Sequence, residues 1–144
     1  MLFRNCAGGI VFSGEKVFLL KNNKGEWVLP KGKIRKGFLS VETAIERVKN
    51  ETGLDANVVS TAGETCYEFF SLSRQKPVCN EITWYIMESF ENDFEINKEE
   101  GFTDGGFFNI SDAIEKITYS QDKSLVSLSY KKYLKLKDRE VILA

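Results

Sequence analysis

Short runs of apolar, β-branched and aromatic residues, separated by turns rich in glycine and polar residues, predict a series of β-strands. The run at 81–90 is the clearest of these, because it concentrates β-branched and aromatic residues over ten positions. The first run contains a glycine pair, which is typical of a bulge or a close backbone approach. The predicted strands span residues 2–12, 16–21, 27–29, 56–62, 65–72, 81–90 and 105–110.

Helical spacing first appears after the third predicted strand. A glycine-rich loop over residues 30–39 is followed by apolar positions at i, i+3, i+4 and i+7, which predict one apolar face of a helix. Ser40 is the predicted N-cap and Gly53 the predicted C-terminal stop. The apolar face is predicted to consist of Val41, Ala44, Ile45 and Val48.

Two more helices are predicted near the end of the chain. A short one is capped by Ser111, and a final one spans 121–137 with Leu125, Leu128 and Leu136 facing inward. The order of strands, helix, strands and helices predicts a mixed sheet with helices packed on its faces. With 144 residues, of which 42% are hydrophobic, residues 1–144 are expected to form a single domain.

Composition excludes several classes of function. The 20 basic and 21 acidic residues leave a net charge of −1, so no global field favours nucleic acid or an anionic membrane. No apolar run is long enough to span a bilayer, and the first residues lack the features of a signal peptide. The three cysteines, an odd number without paired spacing, are typical of reduced thiols, and we expect a cytoplasmic protein.

The absence of histidine narrows the chemistry further. Without histidine there is no Ser-His-Asp or Cys-His pair, and the H-E-x-x-H type of zinc site is excluded. Hydrolytic chemistry would therefore depend on carboxylates, lysine, tyrosine or a metal bound through oxygen.

The glycine loop and the first helix carry the strongest motif. Residues 32–54 resemble the Nudix box, G-x5-E-x7-R-E-U-x-E-E-x-G-U with U aliphatic, and the preceding Trp-Val-Leu-Pro-Lys-Gly resembles the branch that cleaves diadenosine polyphosphates. The resemblance implies a Nudix-like α/β/α sandwich over most of the chain. The matching positions are Gly32, Val48, Glu51, Gly53 and Leu54.

Four positions of the box differ from the family pattern. Phe38 stands at the first glutamate, Glu46-Arg47 reverses the expected Arg-Glu, and Asn50 replaces a glutamate. The family places glutamates at the positions of Arg47, Asn50 and Glu51, which share one helix face and hold Mg²⁺ or Mn²⁺ for phosphoanhydride cleavage. Here that face carries one carboxylate, so we expect hydrolysis to be weak or lost.

The resemblance nevertheless assigns candidate roles. Glu51 and Glu46 are the catalytic candidates, although Glu46 should point about a quarter-turn away from Glu51. Arg47 either forms an exposed ion pair with Glu51 or contacts a phosphate in place of the metal. Glu99 or Glu100, in a late acidic loop, could supply a replacement ligand. The candidate metal ligands are Glu51, Asn50 and Gly32.

Basic and aromatic residues supply the candidate substrate contacts. Lysines near the glycine loop could neutralise a polyphosphate or could be solvated, and the aromatic residues could stack on a base or belong to the core. The substrate-binding candidates are Lys21, Lys31, Gly32, Lys33, Arg47, Tyr67 and Tyr119.

Three functions follow as hypotheses. The first is a domain that binds a nucleoside diphosphate derivative or a dinucleoside polyphosphate with little hydrolysis, without nucleic acid or membrane as a partner. The second is an active Mg²⁺- or Mn²⁺-dependent pyrophosphohydrolase with non-standard ligands, and the third is a non-catalytic interaction scaffold. A homodimer is compatible with each, although no interface is specified.

Overall fold

A computed structural model describes residues 1–90 and 93–143 of the protein, with side chains described as far as residue 139. Within these ranges the strands form one seven-stranded sheet. The strands are β1 (Leu2–Ser13), β2 (Lys16–Asn22), β3 (Trp27–Val28), β4 (Lys31–Lys33), β5 (Asn57–Ser71), β6 (Lys76–Glu88) and β7 (Phe102–Asn109). The helices are α1 (Ser40–Thr52), α2 (Ile110–Lys116) and α3 (Ser120–Leu143), with a 3-10 turn at Lys98–Glu100.

The sheet is mixed, as predicted. Its main strand order is β3-β2-β1-β6-β5, with β4 paired to β1 and β7 paired to β2. β1 and β6 run parallel over the register from Leu2–Val78 to Phe12–Glu88. The other strand pairs are antiparallel.

Helices cover both faces of the sheet. α1 packs on one face, where Ala44 and Val48 join a core cluster with Val11 of β1 and Met87 of β6. α2 and α3 pack on the other face, in a cluster that includes Trp84. These three layers confirm the predicted α/β/α sandwich. None of the helices in the described residues has both the length and the apolar character that crossing a membrane requires.

The N-terminus of α1 differs from the prediction. Leu39 is the capping position, and its backbone N–H donates to the Glu42 carboxylate over 3.0 Å. Ser40 lies inside the helix, and its hydroxyl contacts the Tyr85 hydroxyl on β6 instead of capping. The prediction of Ser40 as N-cap was therefore wrong, because a tertiary partner holds the hydroxyl. Gly53 ends the helix at φ 76°, as predicted.

The face that α1 presents to the sheet is also rotated from the predicted one. Ala44 and Val48 are fully buried, but Ile45 is 42% exposed and Val41 is half-buried. The inward face continues instead through Thr43 and Glu51. As a result the polar side of the first helix is partly turned into the protein.

Other departures reflect contacts between distant segments. The two strands predicted at 56–62 and 65–72 are one strand, β5, whose register shifts near Gly63 at φ +124°. β4 forms inside the predicted loop because β1 pairs with it. Leu128 is 65% exposed since α3 packs through Leu125, Val126 and Tyr133. Asn109, not Ser111, precedes α2.

Candidate functional site

A cleft of about 920 Å³ opens beside the sheet, and it contains several of the predicted site residues. Its walls come from β4, α1, the β5–β6 pair, the 3-10 turn and the start of α3. Four predicted residues from four different elements or loops therefore converge on one space. These are Lys31, Glu51, Tyr67 and Tyr119, and Glu100 joins them.

Glu51, which lines the cleft, forms an ion pair with Arg47, which is not among the cleft-lining residues. Arg47 Nη2 and Nε both lie 2.9 Å from Glu51 Oε2. The Glu51 side chain is 2% exposed and that of Arg47 is 19% exposed. The pairing was one of the two predicted arrangements, but the pair is buried and not on the surface.

A second carboxylate approaches Arg47 from the 3-10 turn. Glu100 Oε2 lies 3.5 Å from Arg47 Nη2, and the Glu100 side chain is 45% exposed. The Arg47 guanidinium thus contacts one buried and one exposed carboxylate.

Burial controls the protonation of Glu51. It raises the pKa of this carboxyl to about 7, against the opposing effects of the Arg47 and Lys31 charges. The Glu51 carboxyl therefore titrates near neutral pH.

Gly32 positions the arginine through a close backbone approach. A Cβ atom at Gly32 would lie 2.7 Å from both Cδ and Nε of Arg47, closer than van der Waals contact allows. The β4 backbone therefore packs directly on the arginine side chain. Gly32, Lys33, Glu46 and Arg47 line a smaller groove of about 200 Å³.

Glu46 and Asn50 do not reach the cleft. Glu46 lines the smaller groove and an outer concavity on α1 but is absent from the walls of the main cleft. Asn50 lines the same outer concavity, and its Oδ1 accepts a hydrogen bond from Asn97 Nδ2 over 3.2 Å. Glu46 therefore does not join Glu51, and Asn50 instead ties α1 to the segment that carries Glu100.

These residues do not fit a divalent cation as they are arranged. Within residues 1–90 and 93–143, no three carboxylate, histidine or cysteine side chains converge on a metal-sized space. The position between the Glu51 and Glu100 carboxylates holds the Arg47 guanidinium, which repels a metal ion. Of the predicted ligand set Glu51, Asn50 and Gly32, only Glu51 lines the main cleft, and the set stays a prediction.

Two tyrosines form aromatic walls of the cleft. The Tyr67 ring stacks on Phe69 at 5.7 Å between centroids, and its hydroxyl accepts a hydrogen bond from Asn80 over 2.8 Å. The Tyr119 hydroxyl donates to the Glu26 carboxylate, which raises the pKa of Tyr119 to about 12. Both rings are nearly half exposed to the cleft and to solvent.

The predicted lysines separate. Lys31 lines the main cleft, Lys33 lines the smaller groove, and Lys21 lines neither. Lys21 Nζ instead lies 5.9 Å from the centre of the Trp27 ring.

Sequence reasoning missed several charged residues that line the cleft, among them Lys24, Glu26, Glu68 and Asp122. Asp122, in the first turn of α3, lines the cleft and is 9% exposed. Its position three residues after Tyr119 was the available signal, because both lie at the start of the final helix. An acidic residue in a first helical turn is common without any site, so the pattern alone does not distinguish it.

The chain matches one family model, and its fold is similar to those of several solved structures. The NUDIX domain family model matches residues 2–128. A C. elegans Ap4A hydrolase structure, a binary complex, is 17% identical over 91% of this chain and 97% of that one, with a TM-score of 0.69. The E. coli dihydroneopterin triphosphate pyrophosphohydrolase is 12% identical over 88% and 95%, with a TM-score of 0.70. A MutT protein from Bacillus halodurans is 24% identical over 86% and 80%, with a TM-score of 0.61. At these identities the likeness concerns the fold.

Proposed function

Because the chain belongs to the NUDIX domain family, we propose that its cleft binds a nucleoside diphosphate derivative or a dinucleoside polyphosphate, with phosphoanhydride hydrolysis weak or lost. Two structures of the same fold are named for enzymes that act on Ap4A and on dihydroneopterin triphosphate. Those names support a phosphorylated ligand of this general kind. The observation that carries the proposal is the buried Arg47–Glu51 pair.

The pair opposes the metal chemistry of the family. Divalent metal stabilises the charge that develops when water attacks a phosphoanhydride. Two unit charges about 4 Å apart interact by about 4 kcal/mol at an effective dielectric constant of about 20. Replacing a carboxylate with the Arg47 guanidinium turns that attraction into repulsion beside Glu51, while Asn50 removes a second charge. The residues of α1 therefore support anion binding better than cation binding.

The same geometry supports a binding mode without metal. Lys31 lines the cleft, and Arg47 contacts the Glu51 and Glu100 carboxylates that also line it. An incoming phosphate would compete with the exposed Glu100 carboxylate for Arg47, because that contact is the longer and more solvated of the two. The exposed faces of Tyr67 and Tyr119 offer stacking surfaces for a base.

One observation favours the active alternative. The Glu51 and Glu100 carboxylates both contact the Arg47 guanidinium, so both would face a cation that replaced it. An Mg²⁺- or Mn²⁺-dependent pyrophosphohydrolase would then need Arg47 to leave this position when the substrate binds.

The deciding experiment measures turnover and binding on the same compounds. Nucleoside diphosphate derivatives and dinucleoside polyphosphates are incubated with excess Mg²⁺ or Mn²⁺, using the wild type and Glu51→Gln, and the melting temperature is recorded without metal. We expect negligible turnover and a rise in melting temperature with ligand. Turnover that Glu51→Gln abolishes would establish the hydrolase instead. The absence of both turnover and binding would favour the third hypothesis, an interaction scaffold.

We also propose a single domain over residues 1–144 in the cytoplasm. The three cysteines, Cys6, Cys66 and Cys79, are free thiols, which supports a reducing compartment. The homodimer stays a proposal without an assigned interface, and sedimentation analysis of the purified chain would test it.

A further inference from the structure

Two of the three cysteines, Cys66 and Cys79, lie side by side on the hairpin formed by β5 and β6. Cys66 is directly opposite Glu81 in the antiparallel register. Cys79 is directly opposite Glu68. Alternate residues of a strand point to the same face of a sheet, so the two cysteines are diagonal neighbours on one face. A hydrogen bond joins their thiols.

Core packing does not account for the position of Cys66. Cysteine behaves as a small hydrophobic residue and is among the residues most often buried. Cys79 follows this rule, with 2% of its surface exposed, but Cys66 is exposed. The hairpin therefore presents one thiol to solvent and holds a second thiol against it.

The charges around the pair favour an uncharged reagent. The hydrogen bond with Cys66 raises the pKa of Cys79 to about 11, and burial and the charges of Glu68 and Glu81 act in the same direction. The Cys79 thiol therefore keeps its proton and donates it to the Cys66 sulfur. The two carboxylates repel an anionic oxidant such as glutathione disulfide, but they do not repel hydrogen peroxide.

We propose that Cys66 and Cys79 are a site of reversible oxidation, at which hydrogen peroxide forms a disulfide across the hairpin. The Cys66 sulfur attacks one peroxide oxygen and breaks the O–O bond, which leaves a sulfenic acid and releases one water. The Cys79 sulfur then attacks the Cys66 sulfur and displaces the hydroxyl group, which takes up the Cys79 proton and leaves as a second water. The two thiols lose two electrons and two protons, and the peroxide is reduced to two waters.

Forming the disulfide requires a small movement of β5. The Cα atoms of diagonal neighbours lie about 7–8 Å apart, and a disulfide spans about 4.4–6.8 Å. β5 lies at the edge of the sheet beside β6, so it can approach β6 without separating from a strand on its other side. Tyr67 follows Cys66 directly in the chain and lines the cleft. Oxidation therefore moves a strand that forms a wall of the cleft, although the proposal does not depend on what the cleft binds.

The test counts and locates the bond in the full chain. The protein is reduced, freed of reductant, treated with hydrogen peroxide, denatured and alkylated, and the alkyl groups are counted by mass spectrometry. Trypsin cleaves after Arg74 and so separates the two cysteines unless a disulfide links their peptides. Cys66→Ser and Cys79→Ser each remove one partner. Cys6→Ser is the matched control, because Cys6 is buried on the other face of the sheet, opposite Ile82 in β6.

We expect the wild type and Cys6→Ser each to lose two thiols, to yield the linked peptides from a monomer, and to regain both thiols with dithiothreitol. Cys66→Ser should keep its two remaining thiols, because both are buried. Cys79→Ser should lose only the Cys66 thiol, to a sulfur acid without a link, because the second step lacks its nucleophile.

Several results would overturn the proposal. One is the retention of all three thiols in wild-type protein treated with peroxide, and another is a disulfide that joins two chains or includes Cys6. Oxidation of Cys66 in the wild type to a sulfur acid without a link would overturn it as well. So would a loss of thiols in Cys66→Ser equal to that in the wild type, because the exposed thiol would then not be the one that reacts.

Discussion

Glu51 and Glu88 are both buried glutamates beside a basic side chain, but their surroundings differ. Glu88, at the end of β6, accepts hydrogen bonds from the Tyr133 hydroxyl and from Lys137, whose Nζ lies 2.9 Å away. Burial alone raises the pKa of Glu88, but these hydrogen bonds outweigh it and hold the pKa below its ordinary value. At Glu51 burial prevails, and the pKa rises to about 7.

The difference separates a structural contact from a candidate site. Donors from α3 reach Glu88 from two residues, so its charge is stabilised within the fold and links the helix to β6. At Glu51, by contrast, both contacts from Arg47 go to the same carboxylate oxygen, Oε2. The Glu51 side chain also lines the cleft. A buried carboxylate that is incompletely stabilised by the fold is typical of functional sites.

The largest expected effect comes from removing each cation. Arg47→Ala leaves Glu51 buried without its partner, and we expect a loss of about 3–5 kcal/mol in unfolding free energy at pH 8. Lys137→Ala should cost about 1 kcal/mol, because Lys137 is 35% exposed and Tyr133 still donates to Glu88. Urea denaturation measures both. Equal losses of unfolding free energy in the two variants would show that the Arg47–Glu51 and Lys137–Glu88 pairs stabilise the fold to the same extent, and the proposed difference between the two glutamates would be wrong.

The pH dependence of stability should have opposite signs at the two glutamates. The folded pKa of Glu51, about 7, exceeds its ordinary value of 4.5, so the folded state binds more protons between these values. Its contribution is fully present below pH 4.5 and is lost as the pH rises through 7, by about 3 kcal/mol. Glu88 has a lowered pKa, so its contribution is present above pH 4.5 and is lost as the pH falls through its folded pKa.

Matched variants separate the two contributions. Unfolding free energies of Glu51→Gln measured across pH should lack the decline between pH 4.5 and 7, and those of Glu88→Gln should lack part of the acid loss. The raised pKa of Glu51 would be contradicted if the unfolding free energy of the wild type rose from pH 4.5 to 7 and Glu51→Gln showed the same dependence on pH.

The features of α1 that depend on neighbouring residues could be predicted from the sequence. Those that depend on packing against distant segments could not. Gly53 ends α1 because a left-handed residue is a local requirement, and the spacing of Ala44 and Val48 is a property of the helix itself. Which face turns inward depends on where the sheet lies, so Ile45 was predicted buried and is exposed. The burial of Glu51 follows from the same rotation.

The parts of the cleft contributed by distant segments were the least predictable. Asp122 meets Glu51 and Tyr67 in one cavity only after α3 packs across the sheet, and no spacing rule encodes that approach. Lys21 lies outside the cleft-lining residues, with its Nζ near the Trp27 ring, and its predicted role in substrate binding is not tested by this position. The family motif predicted the site residues on and near α1. It did not predict the residues from distant segments that form the other walls of the cleft.

An intermediate effect is expected from the backbone that supports Arg47. Gly32→Ala places a Cβ atom 2.7 Å from the arginine side chain, so the Arg47 side chain, whose Nε donates to Glu51, must shift. We expect a loss of about 1–3 kcal/mol in unfolding free energy. Gly106→Ala is the control, since its Cβ would meet only Phe94 at an ordinary 3.6 Å. Losses of equal size in both variants would indicate a general cost of alanine in the sheet.

The substitution Glu100→Gln is expected to change stability least, but it tests most directly whether the cleft binds phosphate. The Glu100 contact with Arg47 is 3.5 Å long and 45% of the glutamate is exposed, so the stability should change by less than about 1 kcal/mol. Triphosphate binding without metal should strengthen, because a competing carboxylate and its negative charge leave the cleft. Glu99→Gln, one residue away and also exposed, removes the same charge without the contact.

The sign of that change distinguishes the two main functional hypotheses. If Glu100 only competes with phosphate for Arg47, Glu100→Gln binds triphosphate more tightly than Glu99→Gln in calorimetry without metal. If Glu100 instead serves as a metal ligand in a working hydrolase, its loss should reduce turnover in Mg²⁺ or Mn²⁺ while Glu99→Gln stays active. Weaker metal-free binding in Glu100→Gln would contradict the competition between carboxylate and phosphate, because removing a negative charge beside Arg47 can only favour an anion there.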